Sequence, residues 1–438
     1  MFDFQKLVSL QKQGVPVGIY SACTANRYVI KAVLKRAKET NTCALIEATA
    51  NQVNQDGGYT GQTPEMFFRF VVDLAEQVGL ERSNLILGGD HLGPLTWASL
   101  PEDEAMEKAE TLVAAFVRAG FTKIHLDTSM RLGSDDPNVT LETWRIARRG
   151  AQLCQAAEKA YNALKRERPA AKPPVYIIGS EVPIPGGAQE EEDSISITRA
   201  EDCISTISEF KRAFFEFGME DAWSRVIGLV VQPGVEFGND RVFPFDPAAA
   251  SALTDALRTL PVVFEGHSTD YQTAASLREM VKSGIAILKV GPQLTFALRE
   301  ALIAMEMIEI ELLTGKDVWL SGFGRTLERS MLESPKQWEK YYHGNGEETR
   351  LMRKYSYSDR SRYYLAGTQV NDSIERLLTN LNGVQIPPSI LSQFLPVQYK
   401  KFRDGKLPLN AEDILLDKIG EVIDNYIFAT RSEEVCSS

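Results

Sequence analysis

Two of the four histidines in this 438-residue chain stand beside a carboxylate. His91 follows Asp90 directly in "LILGGDHLGP" (85–94), and His267 comes two residues after Glu265 in "VVFEGH" (262–267). Divalent metals are held by imidazole and carboxylate groups delivered from different strands. His91 and His267 are therefore the candidate metal ligands, and Asp90 is a candidate proton-transfer group beside the ion. The plainer alternative for Asp90 is a loop or helix cap. His125 lies two residues before Asp127, on the same face one layer deeper, and reads as structural. His343, in "YYHGNG", reads as a surface-loop residue.

Other side chains could recognise a sugar or an anion. Glu47 in "IEATANQVNQDGGYTG" precedes a loop crowded with amides, among them Asn51 and Gln52. Amides can read sugar hydroxyls, and glycines let backbone approach a ligand; an ordinary polar turn is the equal alternative. Lys289 could form a Schiff base with a ketose, but the many acids nearby favour a charge partner. Ser268, Thr269 and Gly291 could donate to a phosphate. Arg360, with Arg353 and Arg362 in "RKYSYSDRSRYYL" (353–365), could grip a phosphate or simply pack among tyrosines.

These residues need elements to position them. Eight short apolar, β-rich runs recur at 17–22, 43–48, 85–90, 123–127, 175–181, 226–232, 262–267 and 286–291. Helical patterns lie between them. One runs from Thr63 as N-cap to Gly79, with Pro64 at its first position. Another has Pro101 inside its start and ends at Gly120, and a third opens on Asp246 and Pro247. Eight strands alternating with helices predict an α/β fold, a TIM (β/α)8 barrel over residues 1–315. A doubly wound sheet would want a Gly-rich turn after the first strand, which "YSACTANRY" lacks.

The apolar helix "TFALREALIAMEMIEIELLTG" is the expected eighth barrel helix. Residues 316–438 are expected to form a helical extension packed on the barrel. The loop 182–198 is long enough for a lid or binding loop. Active sites of such barrels lie at the strand C-termini, where this chain places Ser21, Glu47, Asp90, Asp127, Glu181, Gln232, Glu265 and Lys289. Burying carboxylates costs several kcal/mol each unless they are paired or metal-bound, so Glu47, Asp127, Glu181 and Glu265 are expected to share one polar cavity.

A net charge of −11 argues against a nucleic-acid partner. The N-terminus has no signal-peptide pattern and no run approaches a membrane span, so a cytoplasmic protein is expected. Five cysteines without a CxxC pair suit a reducing compartment and offer no thiolate metal site. No P-loop or kinase signature is present.

The stretches around Glu47, Asp90, His267 and Lys289, with "GFTKIHLD", "VVQPGVEF", "WEKYYHG" and "YSYSDRSRYYL", closely resemble the Z-type subunits of class II D-tagatose-1,6-bisphosphate aldolases. The resemblance runs along nearly the whole chain. It implies a TIM barrel related to class II aldolases and a role in galactitol or tagatose catabolism. The chain would support a Y-type catalytic subunit that cleaves the bisphosphate to dihydroxyacetone phosphate and glyceraldehyde 3-phosphate. The alternative, suggested by relatives that look like such enzymes, is a stand-alone metal-dependent ketose or tagaturonate C4 epimerase acting by retro-aldol and aldol steps; a tagatose 6-phosphate kinase, an older family label, ranks last.

By the same resemblance Asp90 and His91 match the Asp-His pair of class II aldolases, in which the His binds the metal and the Asp moves protons. His267 matches a later ligand. The cofactor implied is a divalent metal, with zinc the expected ion. Gln232 stands where the catalytic subunits carry another histidine, and Glu181 could complete a different ligand set. Glu47 and Asp127 are further catalytic candidates. Asn51, Gln52, Gln232, Glu265, Ser268, Lys289 and Arg360 are the substrate-binding ones. A homo-oligomer is compatible with these readings.

Overall fold

Strands that are apolar on both faces are stable only where other layers cover both faces. The computed structural model, which describes residues 2–180 and 195–436, meets that demand with a ring. Its strands are β1 (Ile19–Cys23), β2 (Ala44–Thr49), β3 (Leu85–Leu92), β4 (Lys123–Leu126), β5 (Val175–Ile178) and β6 (Val226–Val231). They continue as β7 (Glu236–Phe237), β8 (Val242–Phe243), β9 (Val263–Gly266) and β10 (Ile285–Val290). β1 to β6, β9 and β10 pair in parallel in chain order, and β10 closes on β1. This is the expected TIM barrel. β7 and β8 form an antiparallel hairpin after β6 that was not anticipated.

Local signals set the helix boundaries. The Thr63 side chain accepts from Met66 N at the start of Pro64–Val78, and Gly79 ends that helix in the left-handed region at φ 75°. Pro101 is the cap residue of Glu102–Ala119 rather than its first helical residue. Asp246 accepts from Ala248 N at 2.8 Å and so caps only a turn; the regular helix there, Ser251–Ala256, has Ala250 as its cap residue. The predicted loop 182–198 lies mostly outside the described residues, as does Glu181.

The eighth position of the outer ring differs from expectation. Pro292–Leu313 packs chiefly on Ala411–Thr430 and on helices of the tail. It is Ala411–Thr430 that lies on β1, between Arg27–Thr40 and Ala274–Lys282. The Tyr20 ring, facing outward from β1, meets the Tyr426 ring at 5.8 Å. The Tyr426 hydroxyl donates to the Thr269 carbonyl at 2.9 Å, and Gly18 N donates to the Thr430 carbonyl at 2.7 Å. Pro292–Leu313, covered on most sides, buries even Glu306 and Glu309, which accept from Gly324 N and Ser321 N at the helix's far end. Among the described residues no helix is long and apolar enough to cross a membrane.

Tyr426→Ala removes a fully buried ring and two polar contacts at once. It is expected to destabilise the molecule by about 3–5 kcal/mol. The denaturant midpoint of the whole barrel should move in one cooperative transition. Two separate transitions, with the barrel's own unmoved, would show instead that the tail folds independently.

Candidate functional site

Register brings the chemistry together. Cys23 pairs with Glu47, Thr49 with Asp90, and Ser21 with Lys289 across neighbouring strands. The inward residues therefore stack in layers, as in barrels of this type. The deeper layer is a closed ion lattice. The Lys123 ammonium lies 2.6 Å from Glu47 and 2.7 Å from Glu265. Lys289 lies 2.7 Å from Glu47, 3.7 Å from Glu265, and contacts Asp90 closely. All five side chains are buried. Burial works against both ammoniums, but the carboxylates outweigh it and raise the pKa of Lys123 and Lys289. Lys289 is thus a charge partner of the acids, the reading its surroundings favoured. Lys123 was not singled out beforehand. The alternation in "KIHLD" that places His125 and Asp127 inward places it inward too.

Above this layer three imidazoles converge. The ring centres of His91, His125 and His267 are 5.0, 5.0 and 5.3 Å apart pairwise. Each has one nitrogen at a carboxylate. His91 Nδ1 lies 2.8 Å from Asp127, His125 Nδ1 3.0 Å from Asp90, and His267 Nε2 3.0 Å from Glu265. With those nitrogens protonated, the opposite nitrogen of each ring keeps its lone pair. His125 Nε2 is buried and has no hydrogen-bond partner. Ligand atoms of Asp90, His91, His125 and His267 all lie within 4.8 Å of one another. The donor set fits a divalent cation: a carboxylate behind each imidazole is the usual arrangement around a metal. His125, read as structural from the sequence, belongs to this cluster.

The backbone explains why adjacent Asp90 and His91 both serve the mouth. The β3–β4 register shifts between Gly89 and Leu92, and His91 sits at φ 47°. Such a bulge breaks strict alternation and re-aims side chains, and positive φ in a non-glycine residue is held only by its surroundings. The flanking glycines answer to close approach. A Cβ on Gly88 would come 2.7 Å from Glu47 Oε1, and one on Gly93 would come 1.7 Å from the Asp127 carbonyl oxygen.

Charge is finely divided here. Burial opposes ionisation of Asp90, but the charges of His91 and Lys289 hold it well below the usual carboxylate range. Burial likewise disfavours the His91 cation, and Asp90 and Asp127 overcome it to raise His91. His267 is pushed down to about 3, mainly by burial, and so is neutral.

A cavity of about 480 Å³ opens over this cluster. Of the predicted residues, Asp90, His91, His267, Asn51, Gln52, Ser268, Lys289 and Arg360 line it. Glu47 and Glu265 do not, because they lie in the ion layer beneath. Asp127 stands behind His91. Gln232 is turned away: its side-chain oxygen accepts from Gly234 N and Val235 N, capping the turn into the β7–β8 hairpin. Arg353 pairs with Glu328 and stacks on Trp338, outside the cavity, and His343 is exposed. Gly291 also lines the cavity but its amide is spent on Asp270, and the Thr269 hydroxyl is spent on the Lys289 carbonyl. Phe237, Asp270, Tyr341 and Tyr363 are lining residues that no strand-end pattern marks.

Comparison with known proteins agrees with this architecture. The family model of the D-tagatose-1,6-bisphosphate aldolase subunit GatZ/KbaZ-like proteins matches residues 4–431. The D-tagatose-1,6-bisphosphate aldolase subunit GatZ of Escherichia coli (strain SMS-3-5 / SECEC) is 44% identical over 420 residues, 96% of this chain and 98% of that protein. The Salmonella dublin GatZ subunit is 43% identical over 425 residues, 97% of this chain and 98% of that one. A crystal structure described as a probable tagatose 6 phosphate kinase from Sinorhizobium meliloti 1021 superposes with a TM-score of 0.85 at 44% identity, over 94% of this chain and 100% of that one. The chain belongs to the GatZ/KbaZ-like family of D-tagatose-1,6-bisphosphate aldolase subunits.

Proposed function

We propose that this chain is a cytoplasmic component of a class II D-tagatose-1,6-bisphosphate aldolase. It supports a Y-type catalytic subunit in cleaving the sugar to dihydroxyacetone phosphate and glyceraldehyde 3-phosphate, within galactitol or tagatose catabolism. The observation that carries this reading is identity to GatZ subunits at 44% across 96% of the chain. Gln232, spent on a turn, supports the division of labour, because β6 delivers no imidazole from that position.

The mouth retains groups suited to ketose chemistry. His91, His125 and His267 would hold a divalent cation, zinc being suited to a set of imidazoles. Bound there, such a cation supplies Lewis-acid stabilisation to negative charge on ketose oxygens. Charge balance supports it: Glu47, Glu265, Asp90 and Asp127 against Lys123 and Lys289 leave two negative charges when the imidazoles are neutral. Asp90, held ionised at the cavity wall, is placed to accept a proton from a sugar hydroxyl or carbon acid. Asp127 orients His91. Lys289 neutralises Asp90 from below and keeps its carboxylate fixed.

The purified chain is expected to raise the activity and the thermal persistence of a Y-type subunit in a coupled assay for the triose phosphates. An unchanged rate and half-life at saturating chain would sink the accessory reading. With ATP and tagatose 6-phosphate the chain alone is expected to release no ADP, contrary to the description of the Sinorhizobium meliloti relative.

One equivalent of Co²⁺ is expected to bind with a visible ligand-field spectrum. Removing an imidazole (His91→Ala, His125→Ala or His267→Ala) should weaken binding more than about 100-fold. Asp127→Asn, which acts through His91, should cost about 10- to 100-fold. Full affinity in His125→Ala would exclude that residue as a ligand.

A further inference from the structure

Two guanidiniums reach the cavity from the tail, on the 3-10 turn Arg360–Tyr363. Arg360 is only 5% exposed. Its guanidinium lies 3.2 Å above the centre of the Tyr341 ring, and its Nε is buried without a hydrogen-bond partner. Among the described residues, neither Arg360 nor Arg362 forms an ion pair with a carboxylate. Arg362 lies over the Tyr363 ring at 4.5 Å and donates to the Tyr363 hydroxyl and the Ser358 and Asp359 carbonyls. Burial and the neighbouring Arg362 charge lower the Arg360 pKa. Arg360, buried with no carboxylate paired to it, is costly unless a ligand completes it, and the half-buried Arg362 lies beside it.

The turn is held rigidly. Asp359, at φ 41°, accepts from Arg299 Nε at 2.9 Å and from Thr295 Oγ1 at 2.6 Å. Both partners sit on the helix that leaves β10, so the clamp is fixed relative to the barrel mouth.

The other natural anion cup of such a barrel is closed. Phosphates commonly sit at the loops after the seventh and eighth strands, on a helix N-terminus. Here the Asp270 carboxylate fills that place, accepting from Gly291 N at 3.0 Å and Gln293 N at 2.8 Å. Thr269 Oγ1 is turned to the Lys289 carbonyl.

We infer that Arg360 and Arg362 form a phosphomonoester clamp of this cavity, the single one among the described residues, so that the chain itself takes a ketose held by one phosphate with its other end at the imidazole cluster. A guanidinium fork matches phosphate oxygens bidentately, and the tyrosine faces hold the forks in place. The inference rests on the reading of the mouth as a sugar site, but it concerns this chain alone, without a partner and without metal.

The test is calorimetric titration of the full-length chain with glycerol 3-phosphate, inorganic phosphate, tagatose 6-phosphate, unphosphorylated tagatose and glycerate. The expected result is one equivalent of each phosphate per chain and at least tenfold weaker binding of tagatose and glycerate. Arg360→Gln and Arg362→Gln should each weaken glycerol 3-phosphate at least tenfold. Arg353→Gln, at a residue that pairs with Glu328 and stacks on Trp338 outside the cavity, should bind like the parent. Arg360→Lys keeps the charge but not the fork, so it should be intermediate while melting like the parent. Parent-like binding by folded Arg360→Lys and Arg362→Gln, glycerate bound as tightly as the phosphate, or two equivalents per chain would each overturn the assignment. Failure of the Y-type subunit to be stimulated, with phosphate binding as described, would count against the aldolase role and leave the clamp standing.

Discussion

Everything at the mouth stands on the ion lattice of Lys123, Lys289, Glu47, Glu265 and Asp90. Taking one such charge out of water alone costs several kcal/mol, and a pair recovers that only when the geometry leaves no partner missing. Here each ammonium serves two or more carboxylates drawn from different strands, β2, β3 and β9. A slip of one residue in any of these strands would turn a charge outward into the helix layer and strand its partners. The lattice therefore selects a register more than it adds stability. It also sets the floor on which the imidazoles rest, because Glu265 and Asp90 each hold a histidine above while pairing with a lysine below.

The bulge in β3 converts that floor into a site. Regular alternation would send Asp90 and His91 to opposite faces. The shifted pairing and the positive φ of His91 place one at Lys289 and His125, the other at Asp127. Local strain of this kind is tolerated where several contacts over-determine the conformation, and here the Asp127 carboxylate and the tight passage at Gly93 both do so.

How much of this was legible in the sequence depends on the range of the cause. The eight strands and the polar residues at their ends follow from short-range apolar patterning, and the structure places all eight within two or three residues of the predicted spans. His125 and Lys123 share the parity of Asp127, so the signal was present, but the acids drew the interpretation. The bulge leaves no pattern of its own. Gln232 ends a strand like the others, and only the turn at Gly234 and Val235 claims its amide. The role of the terminal helix was hidden because Pro292–Leu313 is equally apolar and comes at the expected place. Which of the two lies on β1 is decided by partners some 400 residues away in sequence, among them Tyr20 against Tyr426 and Gly18 against Thr430.

That exchange ties the tail to the mouth. The chain leaves β10, passes outward through Pro292–Leu313, returns over the cavity at Arg360–Tyr363, and comes back to the barrel as Ala411–Thr430 on β1. The return is registered by the buried pair of Arg299 and Asp359, 60 residues apart. Such a pair adds little net stability after desolvation, yet breaking it leaves a buried charge alone, so it penalises any misplacement of the turn. Arg360 and Arg362 inherit their position from it. A tail that merely leaned on the barrel could not hold two guanidiniums over a cavity whose floor is already crowded with carboxylates; they would drop toward Asp90 or Asp270. The tyrosine stacks and the Asp359 anchor hold them at the cavity, where Arg360 has no carboxylate partner.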